Sequence, residues 1–364
     1  MLRSPFAAAS ANASTPSQKC KKVKAWLTPS RYAGYTGDAY TFEAVLGRGA
    51  FGLVTLMRSA ANGKLCAMKT VDRFRLHNEA LKRAIANEIK TLLVLSADSA
   101  HGGIAALLDV VETPRSIHIV LEYGGVAVHE MLEERGAFDE SAARSVARQM
   151  ADAIAHCHVH GVCHRDVKLE NIVLDDDGRA RLIDFGLAIA WGEGSTRLRK
   201  VAGSLPYMAP EMVALMLGRL QRRRRPQRSR HDDTTDAAAA AAAVAAVATD
   251  VAAAGTAEVV VTEAHRREDG DGDEANPAAP VGYLGPPVDV WSLGVSLARL
   301  LTGEHLFRAP DDESLGALIL DAQYMLPAHT LSAASIDFLE LMLEREPERR
   351  AAMEVVKAHR WLVQ

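Results

Sequence analysis

The chain has 364 residues, of which 48% are hydrophobic, so it can bury one large core or two smaller ones. Its 42 basic and 46 acidic side chains give a formal net charge of −4, which does not mark the whole chain as a nucleic-acid-binding protein. The 4 cysteines lack disulfide-like or CxxC spacing, which indicates a reducing compartment. No apolar run reaches the roughly 18 residues that a membrane span needs. We therefore expect a cytoplasmic protein, with the nucleus as the alternative, that has neither a membrane nor nucleic acid as its partner.

The first segment, residues 1–39, is basic and rich in alanine and serine. This composition predicts a disordered tail, and an organelle transit peptide is the less favoured alternative.

Ordered patterning starts near Tyr40. Residues 41–73 predict three strands, and apolar residues at helical spacing predict a helix over 79–95. Two further strands are predicted over 106–112 and 117–123. Together these elements predict a compact lobe built from a five-stranded sheet and one helix.

From Phe138 onward the pattern is mainly helical, with strands predicted only around 172–174 and 181–184. Residues 215–283 interrupt it with an arginine run, an alanine block and an acidic run. Such a composition offers few large side chains to bury, so we expect a disordered insert. Its arginine run is a candidate nuclear address, a phosphate-binding tether or simply a solvated charged stretch.

A glycine-rich turn, Gly47-Arg48-Gly49-Ala50-Phe51-Gly52, separates the first two predicted strands. Glycines at this spacing let a hairpin backbone approach phosphates closely. A dinucleotide site is the usual competitor, but it needs a helix after the glycines. Here another strand follows, and Lys69 lies near the end of the next one. Glu88, in the predicted helix, could form an ion pair with Lys69.

Three further motifs follow in order: His164-Arg165-Asp166-Val167-Lys168-Leu169-Glu170-Asn171, Asp184-Phe185-Gly186 and Ala209-Pro210-Glu211. With these motifs the sequence resembles the protein kinase family of the serine/threonine type. The match is closest to the calcium/calmodulin-dependent and AMP-activated kinase branch, through HRDVKLEN, GSLPYMAPE and DVWSLG. The resemblance implies a bilobal α+β fold that binds ATP between its lobes. The β-rich N-lobe would span 40–123 and the helical C-lobe 124–364, interrupted by the insert 215–283.

The resemblance also implies the activity and the roles of individual residues. The expected reaction is transfer of the γ-phosphate of Mg·ATP to Ser or Thr hydroxyls of protein substrates. Asp166 would act as the catalytic base and Lys168 would stabilise the phosphoryl group, while Glu88 would orient Lys69 toward the phosphates. Asn171 and Asp184 would hold Mg²⁺. The expected nucleotide-binding residues are Gly47, Gly49, Gly52, Val54, Ala67, Lys69, Leu121, Glu122, Tyr123 and Val173.

Two further matches are structural. Glu211 and Arg350 correspond to a buried ion pair that braces the larger lobe. Asp289 would anchor the backbone of the catalytic loop, and we expect it to open an apolar helix.

The sequence departs from the family at the segment that controls activity. Arg165 is typical of kinases in which a phosphothreonine orders this segment, but Lys200 stands at the threonine position. Like charges at these two positions would repel. An upstream kinase could phosphorylate Thr196 or Ser195 instead, Glu193 could serve as the acidic partner, or a binding partner could order the segment.

Two readings compete with an active enzyme. A pseudokinase scaffold would bind nucleotide or partners without catalysis, although every catalytic position carries the expected residue. Alternatively, the biased segment 218–280 could be a retained intron in the gene model.

Overall fold

The computed structural model describes residues 39–49, 52–77, 79–96, 101–190, 197–224, 258–259, 282–327 and 329–363. Most of the predicted tail 1–39 and most of the predicted insert 215–283 therefore lie outside the described residues.

The chain divides into two compact units. The first contains the described residues up to Glu130 together with Glu170–Gly186, and the second contains Met131–Leu169 and the described residues from Leu187 onward. The first unit thus includes a segment that lies far along the chain. The predicted lobe boundary at residue 123 stays a prediction.

The first unit is built on an antiparallel sheet with the strand order β1-β2-β3-β5-β4. Its strands are β1 Tyr40–Gly49, β2 Gly52–Ser59, β3 Leu65–Asp72, β4 Leu107–Glu112 and β5 Ser116–Glu122. A short 3₁₀ turn, Arg73–His77, leads from β3 into helix α1, Glu79–Leu95. The predicted five-stranded sheet and its single helix are confirmed, and so is the α+β class.

Strand alternation divides the core of this unit between the two faces of the sheet. On one face Cys66 and Met68 of β3 are buried against Met57. On the other face Val71 and Ile119 are buried against Ile85 of α1. The helix buries one stripe of its surface because its apolar residues recur at helical spacing.

The remaining strands are short, and most of them pair locally. They are β6 Val126–Ala127, β7 Val162–Cys163, β8 Ile172–Leu174, β9 Ala180–Leu182, β10 Ile189–Ala190, β11 Gly203–Ser204 and β12 Glu258–Val259. In the first unit β6, β8 and β9 form a small antiparallel sheet. In the second unit β7 pairs with β10, and β11 pairs with β12. Three-residue 3₁₀ turns lie at Leu169–Asn171, Phe185–Leu187 and Leu205–Tyr207.

The second unit is mainly helical. Its helices, with the first of them shared at the boundary between the units, are α2 Val128–Arg135, α3 Glu140–Val159, α4 Pro210–Arg224, α5 Gly285–Thr302, α6 Asp312–Leu320, α7 Ala333–Met342, α8 Met353–Lys357 and α9 Arg360–Val363. Its core is formed around α5, which is buried along nearly its whole length. Trp291 of α5, Phe338 of α7 and Trp361 of α9 are among the largest fully buried side chains.

Two helix boundaries differ from the sequence prediction. Helix α5 begins at Gly285, one turn before Asp289, because Pro286 and Pro287 fit the first turn of a helix, where the missing N–H group would have no partner. Helix α4 continues to Arg224, so the predicted start of the insert at 215 falls within a helix.

Within the described part of the chain, no helix combines the length and the apolar character that crossing a bilayer requires.

Candidate functional site

Lys69 and Glu88 form a buried ion pair in the first unit. The Lys69 Nζ lies 2.8 Å and 2.9 Å from the two Glu88 carboxylate oxygens. Strand alternation places Lys69 on the same face of β3 as Val71, which packs against Ile85 of α1. Glu88 follows Ile85 by about one helical turn and faces the same way. The two side chains are only 7% and 1% exposed, so water screens their attraction little. The predicted ion pair is confirmed.

Asp184 adds a second carboxylate to Lys69. Its Oδ1 accepts hydrogen bonds from Lys69 Nζ at 3.1 Å and from the Gly186 N–H at 3.3 Å. Burial alone would lower the pKa of Lys69, but the carboxylates of Asp184 and Glu88 outweigh it and raise that pKa. Lys69 is therefore positively charged at neutral pH. The Asp184 side chain is 37% exposed, so a ligand can reach it from solvent.

Three of the residues predicted to hold the nucleotide share a face of the sheet with Lys69. Val54 of β2 lies directly opposite Lys69 in the ladder, and Ala67 of β3 lies opposite Leu121 of β5. Because side chains of directly paired residues lie on the same side of a sheet, these residues form one half-buried apolar surface around Lys69.

The glycines of the predicted turn lie at the paired ends of β1 and β2. Gly47 lies opposite Val54, and Gly49 lies opposite Gly52. A Cβ at Gly52 would lie 2.0 Å from the Thr70 carbonyl oxygen, so only glycine fits this close approach of two strands. A Cβ at Gly47 would meet nothing within 4 Å, so the backbone there has open space beside it.

The other predicted base-binding residues are Glu122 at the end of β5, Tyr123 directly after it, and Val173 of β8. The Glu122 N–H donates a hydrogen bond to the Ala106 carbonyl at 2.8 Å, and its side chain pairs with Arg181 at 3.3 Å. Burial raises the pKa of the Tyr123 phenol. Val173 is buried in β8 and pairs with Ala127 of β6.

Asn171 lies at the end of the 3₁₀ turn that precedes β8. Its carbonyl accepts a hydrogen bond from the Ile183 N–H at 2.9 Å, which places it in the first unit beside the strand that leads to Asp184. Amide and carboxylate oxygens of this kind are ligands suited to Mg²⁺, so the donor set of Asn171 and Asp184 fits such an ion.

Asp166 and Lys168 form a second cluster, which belongs to the second unit. The Lys168 Nζ lies 2.9 Å from Asp166 Oδ2. Ser204 joins both: its N–H donates to Asp166 Oδ1 at 2.9 Å, and its Oγ accepts from Lys168 Nζ at 2.8 Å. All three residues are buried. The direct hydrogen bonds among them fix their relative positions.

As predicted, Asp289 binds the backbone of the catalytic loop, at the two residues that precede Asp166. Its Oδ2 accepts from the His164 N–H at 2.9 Å and its Oδ1 from the Arg165 N–H at 2.7 Å, while His158 Nε2 lies 2.9 Å from Oδ2. The Asp289 side chain is fully buried. Burial alone would raise the pKa of this carboxyl group, but the contacts from His158 and the backbone N–H groups outweigh it and lower that pKa.

Backbone strain is found at the predicted site residue Asp184 and at Arg165, which directly precedes the predicted catalytic Asp166. Among the described residues, the non-glycine positions with positive φ are Arg165 at 66°, Asp184 at 59° and Ala322 at 48°. Such conformations cost roughly 1–3 kcal/mol each and persist only where the surroundings enforce them. The hydrogen bonds of Asp289 to the loop and of Lys69 to Asp184 provide that enforcement.

The predicted brace of the larger lobe is confirmed. Arg350 donates to the two Glu211 carboxylate oxygens at 2.8 Å and 3.1 Å and to the Pro287 carbonyl at 2.8 Å. The Arg350 guanidinium also lies over the Trp291 ring, with 5.0 Å between its carbon and the ring centroid.

Sequence reasoning missed two residues that the structure brings into this region. The sequence patterns gave no role to Ser204 or to Tyr283. The three residues named as candidates for ordering the segment near Lys200, namely Glu193, Ser195 and Thr196, lie outside the described residues.

The chain matches a family model described as the protein kinase domain over residues 40–247 and 279–362. A human relative named SNF-related serine/threonine-protein kinase is 27% identical over 334 residues, which cover 91% of this chain and 34% of that protein. Its rat counterpart is 27% identical over 334 residues, which cover 91% of this chain and 35% of that protein. In Oryza sativa subsp. indica, serine/threonine protein kinase OSK3 is 28% identical over 326 residues, 88% of this chain and 50% of the relative.

The chain thus spans between a third and a half of the length of these curated relatives, 34% to 50%. The names of these relatives agree with the serine/threonine type and with the branch that the motifs predict. The β-rich first unit and the helical second unit agree with the predicted bilobal α+β kinase fold. Because the family model matches most of its length, this chain belongs to the protein kinase family.

Proposed function

We propose that this chain is a serine/threonine protein kinase that transfers the γ-phosphate of Mg·ATP to Ser or Thr hydroxyls of protein substrates. The observation that carries the proposal is the buried Lys69–Glu88 ion pair with Asp184 3.1 Å from the same ammonium group. Burying a charged lysine between two carboxylates costs free energy. Lys69 lies on the same face of the sheet as Val54 and Ala67, which suits the binding of a phosphate group beside an apolar surface for the adenine base.

The proposed role of each residue follows from the charge of its side chain. The oxygen of a substrate hydroxyl attacks the γ-phosphorus, the bond to the bridging β–γ oxygen breaks, and ADP leaves with that oxygen. Asp166 accepts the hydroxyl proton, and Lys168, 2.9 Å from it, neutralises charge on the transferred group. Lys69, oriented by Glu88, neutralises charge on the phosphates that remain with ADP.

Members of the protein kinase family use ATP and Mg²⁺, and we propose Asn171 and Asp184 as the ligands of the metal. Bound Mg²⁺ supplies positive charge that offsets the charge of the phosphate oxygens. The exposed part of the Asp184 carboxylate supports this assignment. Lys69 contacts the same carboxylate, so it would keep Asp184 oriented before the ion arrives.

For the adenine base we propose the surface formed by Val54, Ala67 and Leu121, with Val173 from β8, and the backbone of Glu122 and Tyr123. The Glu122 N–H already donates to the Ala106 carbonyl, so Glu122 would accept a hydrogen bond from the base through its own carbonyl oxygen. The glycines 47, 49 and 52 would place backbone N–H groups near the phosphates.

The decisive experiment is transfer of labelled γ-phosphate from Mg·ATP to a generic basic protein by the purified full-length chain. We expect incorporation on serine and threonine, and a loss of roughly 100-fold or more in Asp166→Asn because the variant cannot accept the proton. The matched control is Asp177→Asn, which changes an exposed aspartate of the first unit and should retain activity.

The outcomes distinguish an active kinase from a pseudokinase scaffold. Nucleotide binding without transfer by the wild-type chain would overturn the proposal and support a pseudokinase scaffold. Equal incorporation by wild type and Asp166→Asn would also overturn it, because the label would then come from another enzyme.

The proposed location is cytoplasmic or nuclear. Cys66, Cys157 and Cys163 are buried free thiols, which supports the reducing compartment that the cysteine spacing indicates.

A further inference from the structure

The guanidinium group of Arg165 is held by protein groups of the second unit. Its Nε and Nη2 donate to the Leu187 carbonyl at 2.8 Å and 2.5 Å. Its Nη1 donates to the Lys200 carbonyl at 2.8 Å and lies 3.3 Å from the Tyr283 hydroxyl. Each of its three nitrogens therefore makes a hydrogen bond, and two of the acceptors are backbone carbonyls. A phosphate that approached this group would have to displace these contacts.

Tyr283 also binds this stretch of chain, at Leu198 and at Lys200. Its N–H and carbonyl pair with the carbonyl and N–H of Leu198 at 2.9 Å and 2.7 Å. Its hydroxyl donates to the Lys200 carbonyl at 2.7 Å, so this oxygen accepts from both Tyr283 and Arg165. The Tyr283 side chain is buried, and burial raises the pKa of its phenol, so the hydroxyl stays a neutral donor.

A second contact reinforces this attachment. The Arg197 guanidinium donates to the Gly282 carbonyl at 3.2 Å and to Glu348 at 3.1 Å. Residues 282 and 283 thus fix residues 197, 198 and 200 through backbone and side-chain hydrogen bonds.

The attached segment leads directly to the proposed catalytic groups. Four residues after Lys200, Ser204 bonds Asp166 through its N–H and Lys168 through its Oγ. The position of Lys200 therefore limits where Ser204 can hold these two side chains. The Lys200 side chain is itself exposed, and the contacts described for it use its carbonyl oxygen.

We propose that Tyr283 is a positioning residue for phosphoryl transfer, and that its hydroxyl together with Arg165 orders the segment 197–204 without any phosphate on this segment. This inference rests on the proposed kinase function. In this arrangement a neutral hydroxyl and two carbonyls satisfy Arg165, and Lys200 is compatible with the site because only its backbone is used. Activity then does not require a phosphate that contacts Arg165.

Tyr283→Phe tests the proposal because it removes one hydroxyl and keeps the buried ring. The Lys200 carbonyl loses one of its two donors, so we expect kcat to fall about 3- to 10-fold with KM for ATP unchanged. The matched control is Tyr324→Phe, which removes the hydroxyl of a half-buried tyrosine that packs on Phe307 in the same unit. It should leave kcat unchanged.

Hydrogen exchange and thermal midpoints separate a positioning role of Tyr283 from simple loss of stability, and phosphatase treatment tests whether a phosphate is needed. Amide hydrogen exchange at residues 198–204 should speed up in Tyr283→Phe and not in Tyr324→Phe, and the thermal midpoints of both variants should be compared with wild type. Phosphatase treatment of the wild-type chain should leave kcat unchanged.

The proposal is overturned if phosphatase treatment abolishes wild-type activity, or if Tyr283→Phe matches Tyr324→Phe in kcat or in exchange at 198–204. A wild-type chain that transfers no phosphate would instead refute the proposed function, and with it the catalytic consequence of Tyr283. Hydrogen exchange would in that case still decide whether Tyr283 holds the segment.

Discussion

The main-chain N–H of Ser204 donates a hydrogen bond of 2.9 Å to the Oδ1 of Asp166. This contact joins the segment after Lys200 to the loop that carries the proposed catalytic base. Because a backbone group makes the contact, its geometry depends on the conformation of the chain at residues 203 and 204 and not on a rotamer. The preceding residue, Gly203, has φ of 132°, a conformation that side-chain-bearing residues rarely adopt.

Gly203→Ala should therefore disconnect Ser204 from Asp166. The added Cβ would lie 2.5 Å from the Arg165 carbonyl oxygen. Neither atom belongs to a flexible side chain, so the backbone must move to relieve the clash. We expect kcat to fall at least tenfold and the free energy of unfolding to fall by about 1–3 kcal/mol. Both are measured on the purified variant, by phosphate transfer and by denaturant unfolding.

The matched control is Gly136→Ala. Gly136 also has positive φ, 79°, but a Cβ there meets nothing within 4 Å. It should lose some stability and keep its kcat. If the two variants lost kcat equally, the close approach at Gly203 would not be what positions Asp166.

Lys69→Met should abolish phosphate transfer and also destabilise the first unit. The substitution removes the counterion of Glu88, whose side chain is 1% exposed, and breaking a buried pair in this way costs roughly 3–5 kcal/mol. Adding Glu88→Leu should restore much of the stability, because the uncompensated charge is gone, while activity stays absent. Activity in the double variant would contradict the role given to Lys69.

Lys82→Met serves as the control for that experiment. Lys82 is on the same helix as Glu88, its side chain is 63% exposed, and its pair with Glu79 is on the surface. Surface pairs of this kind contribute little, so stability and activity should both stay close to wild type.

The parts of the fold that the sequence predicts well are those with local periodicity. The helix predicted over 79–95 has the observed bounds Glu79–Leu95, because its apolar residues repeat at helical spacing. The alternation of β3, seen in the structure, places Lys69 and Val71 on one face of the strand. The ion pair of Lys69 with Glu88 then followed from the placement of two regular elements.

The contacts of Ser204 and Tyr283 could not be predicted in the same way. The Ser204–Asp166 hydrogen bond joins residues 38 positions apart, and the Tyr283–Lys200 bond joins residues 83 apart. No periodicity links such positions, since only tertiary packing brings them together. The extension of α4 to Arg224 was missed because a run of arginines was interpreted as biased composition, although leucine and arginine both favour helix.

Arg350→Ala should destabilise the second unit strongly. Its side chain is fully buried and donates to Glu211, Pro287 and two further carbonyls, so truncation leaves a carboxylate without its counterion. We expect the free energy of unfolding to fall by about 3–5 kcal/mol. The neighbouring Arg349, with a side chain 76% exposed, supplies the control, and Arg349→Ala should change stability by less than about 0.5 kcal/mol. Similar losses in the two variants would show that the Glu211 contact does not brace the unit.

The Glu140 carboxylate links the start of α3 to the C-terminal helices by hydrogen bonds and makes stability depend on pH. It accepts hydrogen bonds from the Ser332 N–H and Oγ at 2.8 Å and 2.9 Å, from Ser335 Oγ at 2.9 Å and from Trp361 Nε1 at 3.2 Å. Burial alone would raise the pKa of this carboxyl group, but these donors outweigh it and lower that pKa.

A carboxyl group whose pKa is lower in the folded than in the unfolded chain stabilises the fold above its unfolded pKa, about 4.3, and loses that contribution as pH falls through its folded pKa. Wild type should therefore exceed Glu140→Gln in unfolding free energy by of order 1 kcal/mol at neutral pH, and the difference should shrink at pH values below about 4. Urea unfolding across this pH range measures the difference in unfolding free energy. Glu133→Gln, at an exposed glutamate, is the control and should show no such trend. A difference that stayed constant with pH would mean that the ionised carboxylate is not what the four donors stabilise.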